Sequence, residues 1–458
     1  MARRSRRDYC SGGVDLTRAP VRMDAFAPYV SSLEDLAGRA LNRGMLDPST
    51  EDFAAVLDGQ PSAKLRDVVP VSLRRATGAF FTGAALAERA LDPYIWTLSR
   101  SSIVFDPACG AGDLLLACAR HLPGGPNLAT TAARWGEQLY GLDIHPEFVR
   151  AAKARLVLAA LSHSVSTDVV HPESPDKLFP GLRVSDGLAG MKTAEAASHI
   201  VLNPPYQRVP APPGCKWGAG KVSLAAVFLD RCLAAAAPGA RIIAILPDVL
   251  RTGSLYTRWR KTIEARAAVE SVHAFGVFDA WADVDVFILH LVVGTSSSER
   301  VPWWSPPEQA AQRRVGDEFE VRVGPVVPHR DPEIGRWYPY VYPRLLPVWG
   351  TMDIGEAPRR RFKGRTFTPP LVTVRRTSAP SDRQRAVATI VTGDRPVTVE
   401  NHLLVLQPHD NSLARCKELV NVLRDSRTNR WLNERIRCRH LTVAVLRDLP
   451  LWDDYNDR

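Results

Sequence analysis

Ser102-Ile103-Val104-Phe105-Asp106-Pro107-Ala108-Cys109-Gly110-Ala111-Gly112-Asp113 reads as an apolar strand running into a turn of small residues, with a helix beginning near Leu114. Glycines at 110 and 112 let the backbone approach a ligand closely, and the helix start adds a partial positive end. A strand, turn and helix of this kind is the first βα turn of a doubly wound α/β fold, where ligands collect. The turn departs from the dinucleotide fingerprint, because Asp106 precedes it and no third glycine stands in register. An acid at that place repels a pyrophosphate and suits a cationic ligand.

Working outward, the next strand, at 138–144, also ends in an acid, Asp143, and a Pro- and Gly-bearing loop at 122–127 lengthens the connection to it. A third strand, Leu182-Arg183-Val184-Ser185-Asp186, ends the same way. S-adenosylmethionine carries a positive sulfonium and an amino group, which fit an acid in the first turn. Asp143 is then placed to accept from two ribose hydroxyls and Asp186 from an adenine amine. Taken singly, each Asp reads as a helix cap or turn residue; three in succession are more specific.

The fourth strand, His199-Ile200-Val201-Leu202, runs into Asn203-Pro204-Pro205-Tyr206. An amine conjugated to a ring is a poor nucleophile, and acceptors on both of its N–H groups favour a more tetrahedral, reactive nitrogen. The Asn203 side-chain oxygen and the Pro204 carbonyl supply two such acceptors. Proline lacks an N–H and fixes φ, so Pro204 and Pro205 stiffen the turn. Tyr206 offers a ring for stacking. The alternative is a plain strand-terminating turn.

In this order the motifs resemble those of the DNA adenine-N6 methyltransferases, in the class whose cofactor motifs precede the catalytic turn, as in single-chain type II modification methylases. The segment Gly78-Ala79-Phe80-Phe81-Thr82 is similar to that family's extra cofactor motif, which continues as Thr-Pro where this chain has Thr82-Gly83. The resemblance runs from about 74 to 293. It implies a doubly wound, Rossmann-like S-adenosylmethionine-dependent methyltransferase domain followed by a C-terminal α+β target-recognition domain. It also implies cofactor contacts from Phe81, Thr82, Asp106, Ala108, Gly110, Asp113, Asp143, Ile144 and Asp186. The target amine is then held by Asn203 and Pro204 in the turn that Pro205 completes, and Tyr206 stacks on the flipped base. Strands at 274–279 and 285–293 look like the family's final hairpin, which makes Phe278 either a second stacking residue or ordinary core.

The rest of this half fits an α/β sheet. Residues 224–236 read as an amphipathic helix stopped by Pro238-Gly239, and 241–247 as a buried strand. The stretch 207–221, with Trp217 inside it, reads as a surface loop or as a flexible lid over the target strand or cofactor, and its Lys216 and Lys221 are DNA-contact candidates. Residues 1–70 form an N-terminal extension, a basic arm plus helices at 31–43 and 50–57, that either caps the sheet or touches DNA. The catalytic domain spans 71–296. Beyond it the composition shifts to Pro, Trp and Arg, marking a second domain at 297–458. There, strand-like runs at 371–374 and 386–391 are followed by helical stretches at 412–423 and 428–435, a weak likeness to a target-recognition domain. Arg375, Arg376, Arg383 and Arg385 are its candidates for base or phosphate contact. The arginines at 3, 4, 6 and 7 and within 358–361 are phosphate-contact candidates, or simply solvated charge.

Composition bounds the answer. With 458 residues, 45% hydrophobic, the chain has apolar content for two or three cores. A net charge of +10 and a pI near 9.4 suit a polyanionic partner, double-stranded DNA above all. Seven cysteines show no Cys-x-x-Cys pair, so neither a metal site nor a disulfide framework is expected. No segment reads as a membrane span or an apolar signal core, which points to the cytoplasm of a prokaryote. The expected reaction is methyl transfer from S-adenosylmethionine to N6 of a flipped adenine in duplex DNA. The expected setting is restriction-modification or phage defence, with a cognate restriction endonuclease or defence-complex subunit as partner. The alternatives are a methyltransferase acting on RNA or on a protein glutamine, and a non-catalytic DNA-binding subunit of a defence complex.

Overall fold

The computed structural model describes residues 23–43, 51–164, 174–278, 284–294, 301, 303, 313–437 and 439–452. The basic arm with Arg3, Arg4, Arg6 and Arg7, and Asp279 at the end of an expected strand, lie outside the described residues. The chain forms two compact units, Met1–Leu250 with Leu255–Val301, and Arg251–Ser254 with Pro302–Arg458.

Among its described residues the first unit has nine strands: β1 (Val104–Asp106), β2 (Leu139–Asp143), β3 (Leu182–Val184), β4 (His199–Leu202), β5 (Arg208–Pro210), β6 (Lys221–Ser223), β7 (Arg241–Pro247), β8 (Ala267–Val277) and β9 (Asp285–Val293). Seven of them make one sheet in the order β3-β2-β1-β4-β7-β9-β8. Strands β3 to β7 of that order run parallel, and β9 and β8 are antiparallel additions at one side. Parallel strands covered on both faces become continuous apolar runs, as the wholly buried β4 shows. The chain steps outward from β1 through β2 to β3, then returns with β4 on the other side of β1. The strand order therefore reverses between β1 and β4, and the crevice outside their carboxyl ends is where such sheets bind ligands. This is the doubly wound α/β fold expected from the sequence.

The N-terminal helix Ala27–Arg43 packs against Pro146–Ser162, and Phe26, Val30, Leu33 and Ala37 share one core with Leu115, Trp135 and Leu156. The described part of the extension thus covers the sheet's helical layer. Among the described residues, helices Glu51–Leu57, Gln60–Val68 and Val71–Thr77 follow it. Of the stretch 207–221, residues 211–220 form the expected loop, but its ends are β5 and β6, which pair as an antiparallel hairpin, and its Trp217 is buried at 4% exposure. Strand β8 is longer than expected because two register shifts, at Val269/Ser271 and Ala274/Gly276, break the alternation that would have marked it.

The second unit contains β10 (Phe319–Val323), β11 (Arg336–Val341), β12 (Thr351–Asp353), β13 (Arg359–Phe362), β14 (Leu371–Arg375), β15 (Ala388–Thr392), β16 (Thr398–Val399) and β17 (Leu403–Pro408). A five-stranded sheet runs β10-β17-β14-β15-β12 and a three-stranded one β13-β11-β16. Helices Leu413–Arg424, Ser426–Arg435 and Val443–Arg447 pack their apolar residues onto the larger sheet. Each helix starts on a side-chain cap: Ser412, Asp425 and Thr442 accept from the backbone N–H of Arg415, Arg427 and Val445. Strands followed by helices make this unit α+β. Among the described residues, no helix is long and apolar enough to cross a membrane.

Candidate active site at the carboxyl ends of the central strands

Strand β1 delivers Asp106 into the interior at 1% exposure. Its Oδ1 accepts from the Ala108 N–H at 2.9 Å. Burial pushes this carboxyl up to about 8, against the lowering effect of that hydrogen bond, and the negative charges of Asp143 and Asp113 add to the rise. A buried acid with so little neutralisation favours a cation beside it. The turn that follows is held by the Cys109 N–H on the Leu142 carbonyl (2.9 Å) and the Gly110 N–H on Asp143 Oδ2 (3.0 Å). Gly112 begins the helix Asp113–Ala119 at φ 87°, and a Cβ there would lie 3.0 Å from that of Ala152. Only glycine meets both demands.

Asp143 ends β2 with its side chain 13% exposed, and its Oδ1 accepts from both the backbone N–H and Nδ1 of His145 at 2.9 and 3.0 Å. His145 is itself buried, and its Nε2 has no hydrogen-bond partner among the described residues. The sequence reading missed this residue, although its place two positions after Asp143 is a local signal. Ile144, between them, is 44% exposed, and Val184 at the end of β3 is 52% exposed. Asp186 follows, accepting from the Leu188 N–H at 2.8 Å. The β3 turn is pressed against the β1 turn: a Cβ on Gly187 would stand 1.8 Å from the Pro107 carbonyl oxygen.

Strand β4 delivers Asn203 to the same end of the sheet as Asp106, since β1 and β4 are adjacent and parallel. Asn203 is half-buried. Its Nδ2 donates to Thr82 Oγ1 at 3.0 Å, and the Tyr206 hydroxyl donates to its Oδ1 at 2.6 Å. The turn rests on Gly78, where a Cβ would fall 2.5 Å from that of Pro205. Burial pushes the Tyr206 hydroxyl above its ordinary value, so it stays protonated. The Phe278 ring meets the Tyr206 ring edge-on, centroids 5.9 Å apart at 76°. Phe278 is half-buried and packs against the core.

The segment 78–83 joins these two parts. Phe81 packs edge-on against Phe148 at 4.9 Å, and its ring lies where a side chain on Gly110 would reach. Gly83 stands where the similar motif has proline, and the structure shows why. Its φ is 73° and its N–H donates to Asp113 Oδ2 at 2.8 Å, whereas proline is fixed near −65° and has no N–H. Asp113 Oδ1 in turn pairs with Arg155 at 2.8 Å, the two side chains 9% and 0% exposed. Arg155 also donates to the carbonyls of Val56, Leu57 and Ala111. Both oxygens of Asp113, expected at the cofactor, are thus held by the protein. Arg155 carried no signal in the sequence, because Arg150 and Lys153 stand on the same helix and nothing local marks which cation turns inward.

Among the DNA-contact candidates, Lys216, Lys221 and Arg383 are exposed, and Arg375 and Arg376 half-buried. Arg385 is corrected: at 1% exposure it is an internal cross-link, donating to Asn433 Oδ1 and to the carbonyls of Ser378 and Ile436. On β13, Arg359, Arg361 and, just beyond, Lys363 are exposed while Arg360 and Phe362 are buried. Trp337, 53% exposed on β11, pairs across from Arg361. Among the described residues, no group of three or more His, Cys, Asp or Glu is placed to hold a metal ion.

No protein-family model matches the chain. Solved structures similar to it include the type IIL restriction-modification enzyme MmeI in complex with DNA, at 14% identity and TM-score 0.49, covering 92% of this chain and 70% of that one. The type IIG restriction endonuclease BpuSI is similar at 13% identity and TM-score 0.42, covering 93% and 70%. A modification subunit of a type I restriction enzyme from Vibrio vulnificus YJ016 is similar at 14% identity and TM-score 0.37, over 59% of this chain; the chain spans 52% of that subunit's length.

Proposed function

We propose that this chain is an S-adenosylmethionine-dependent methyltransferase acting on the N6 amine of an adenine rotated out of duplex DNA. One observation carries the reading: Asn203 and Asp106 end adjacent parallel strands at the point where strand order reverses, with Asp143 ending the next strand over.

The residues present fit that cofactor. Asp106, an acid driven up to about 8 by burial, is stabilised by a neighbouring cation. Asp143 has carboxylate lone pairs for ribose hydroxyls, Ile144 and Val184 expose apolar surface to a planar ring, and Asp186 accepts from an exocyclic amine. When bound, the cofactor supplies an electrophilic methyl group on a positively charged sulfur. The chain's own residues do the rest. Asn203 Oδ1 and the Pro204 carbonyl accept the two N–H groups of the target amine, drawing its lone pair out of conjugation. Tyr206 offers its ring to the extruded base, supported edge-on by Phe278. Extrusion costs a few kcal/mol, and base–aromatic stacking worth about 1–3 kcal/mol offsets it. Positioning then carries much of the rate.

The second unit is proposed to recognise the target, with Arg375, Arg376, Arg383 and the exposed cations of β13 as contacts, alongside Lys216 and Lys221 of the first unit. A restriction-modification or phage-defence setting, with a nuclease or defence subunit as partner, belongs to the same proposal. The test is incubation with labelled S-adenosylmethionine and unmethylated genomic DNA, followed by digestion to nucleosides. Label in N6-methyladenine is the expected result. Label confined to RNA or protein, or none despite cofactor binding, sinks the assignment.

A further inference from the structure

We propose that Thr82 and the Tyr206 hydroxyl are positioning residues that hold the Asn203 carboxamide in the one orientation able to receive an amine. The inference rests on the methyl-transfer reading and concerns the same site.

A carboxamide has two ends of nearly equal shape and opposite polarity, an oxygen with two lone pairs and a nitrogen with two donors. Asn203 directs Nδ2 to Thr82 Oγ1 and receives the Tyr206 hydroxyl on Oδ1. One lone pair of Oδ1 is then taken and the second remains for an incoming N–H. The reversed amide would also satisfy both neighbours, since each hydroxyl can donate or accept. It would, however, set its own N–H groups against those of the amine, donor facing donor.

What selects between the two is where each hydroxyl sends its proton. The half-buried Tyr206 hydroxyl gives its proton to Asn203 Oδ1. Thr82 Oγ1 accepts from Asn203 Nδ2, which fixes the nitrogen end of the amide on the Thr82 side. Thr82 is also firmly placed. The next residue, Gly83, is tied by its N–H to Asp113, and Asp113 to the fully buried Arg155. Thr82 therefore ties the 78–83 segment to the direction of the catalytic amide, across 121 residues of sequence. Neither side chain needs to touch a reacting atom to do this.

The test compares full-length wild type with Thr82→Val, Thr82→Ser, Tyr206→Phe and the Thr82→Val/Tyr206→Phe double variant. Valine keeps the shape of threonine and removes the acceptor; phenylalanine keeps the stacking ring and removes the donor. The readouts are kcat and KM for DNA at saturating cofactor, and S-adenosylhomocysteine affinity by calorimetry. Thr82→Val and Tyr206→Phe should each lower kcat by about tenfold to a hundredfold, as loss of one preorganised polar contact does, with KM for DNA little changed. Thr82→Ser should restore kcat. The double variant should lose no more than the worse single one, because both act through one amide. If Thr82→Val weakens S-adenosylhomocysteine binding while kcat stays at the wild-type level, Thr82 is a cofactor contact alone and the proposal is overturned. Multiplicative losses in the double variant overturn it too. A wild-type protein that transfers no methyl to DNA overturns the functional reading and this inference with it; an active wild type with indifferent variants overturns only the inference.

Discussion

Single residues set the chemistry, and Asp106 shows how burial does so. Its carboxyl is raised from the ordinary 3.8 to about 8. Between those values the folded protein binds a proton that the unfolded chain has lost. The contribution of Asp106 to stability is therefore fully present below about pH 4 and is lost as pH rises through 8, by at most about 1.4 kcal/mol per pH unit. A cation bound beside Asp106 reverses the preference. Affinity for S-adenosylmethionine should rise with pH up to about 8, and Asp106→Asn should flatten that rise; calorimetry between pH 6 and 9 checks both, and an unchanged slope in the variant would assign the titration elsewhere. Asn203 has a separate duty. Asn203→Ala should cut kcat by about a hundredfold or more while cofactor affinity holds, whereas Asp143→Ala should weaken the cofactor itself. Equal loss of both in the Asn203 variant argues against the division of roles.

At the scale of elements, the crevice depends on how segments are tied together. The helix Glu51–Leu57, the turn after β1 and the 78–83 segment all converge on the Arg155–Asp113 pair. Replacing Arg155 by Leu leaves a buried carboxylate and three carbonyls without their donor. The expected cost is about 3–5 kcal/mol, read as a lower urea midpoint. Gly83→Pro should cost more than about 1 kcal/mol, since it removes a bonded N–H and cannot adopt the positive φ. Unaltered stability in either variant would show that the pairing does not bear on the fold. Much of the element pattern was legible in the sequence: the strands at 199–202 and 241–247 and the helix at 224–235 lie where apolar runs and a Pro-Gly stop put them. The hairpin of β5 and β6 was not, because each strand is three residues long and too short to show a period.

At the scale of the whole molecule, a charge of +10 leads to a prediction about binding rather than fold. Arg359, Arg361 and Lys363 stand two residues apart along an exposed edge, about 6.7 Å per step on a strand. If they meet phosphates, replacing all three by Glu should weaken DNA binding uniformly across sequences. It should also reduce the slope of log affinity against log salt by about 2.7, at about 0.9 per contact. Fluorescence anisotropy over a salt series measures this, and a slope equal to wild type would make the stripe merely solvated charge. The equivalent substitution at Arg385 would instead unfold its surroundings, since that side chain is buried.

The amino-acid order by itself determined the local pieces: the small-residue turn after Asp106, the acids closing three successive strands, the rigid turn at 203–206, and the basic balance of the chain. Each follows from neighbours in sequence, through what glycine and proline allow the backbone and what alternating or continuous apolar residues bury. Only the tertiary structure decided which of these pieces touch. It put Asn203 against Thr82, 121 residues away, closed Asp113 off with Arg155, and turned Arg385 inward. Contacts of that kind join segments whose own patterns carry no record of each other, so they exist only once the sheet has set its strand order and the core has packed around it.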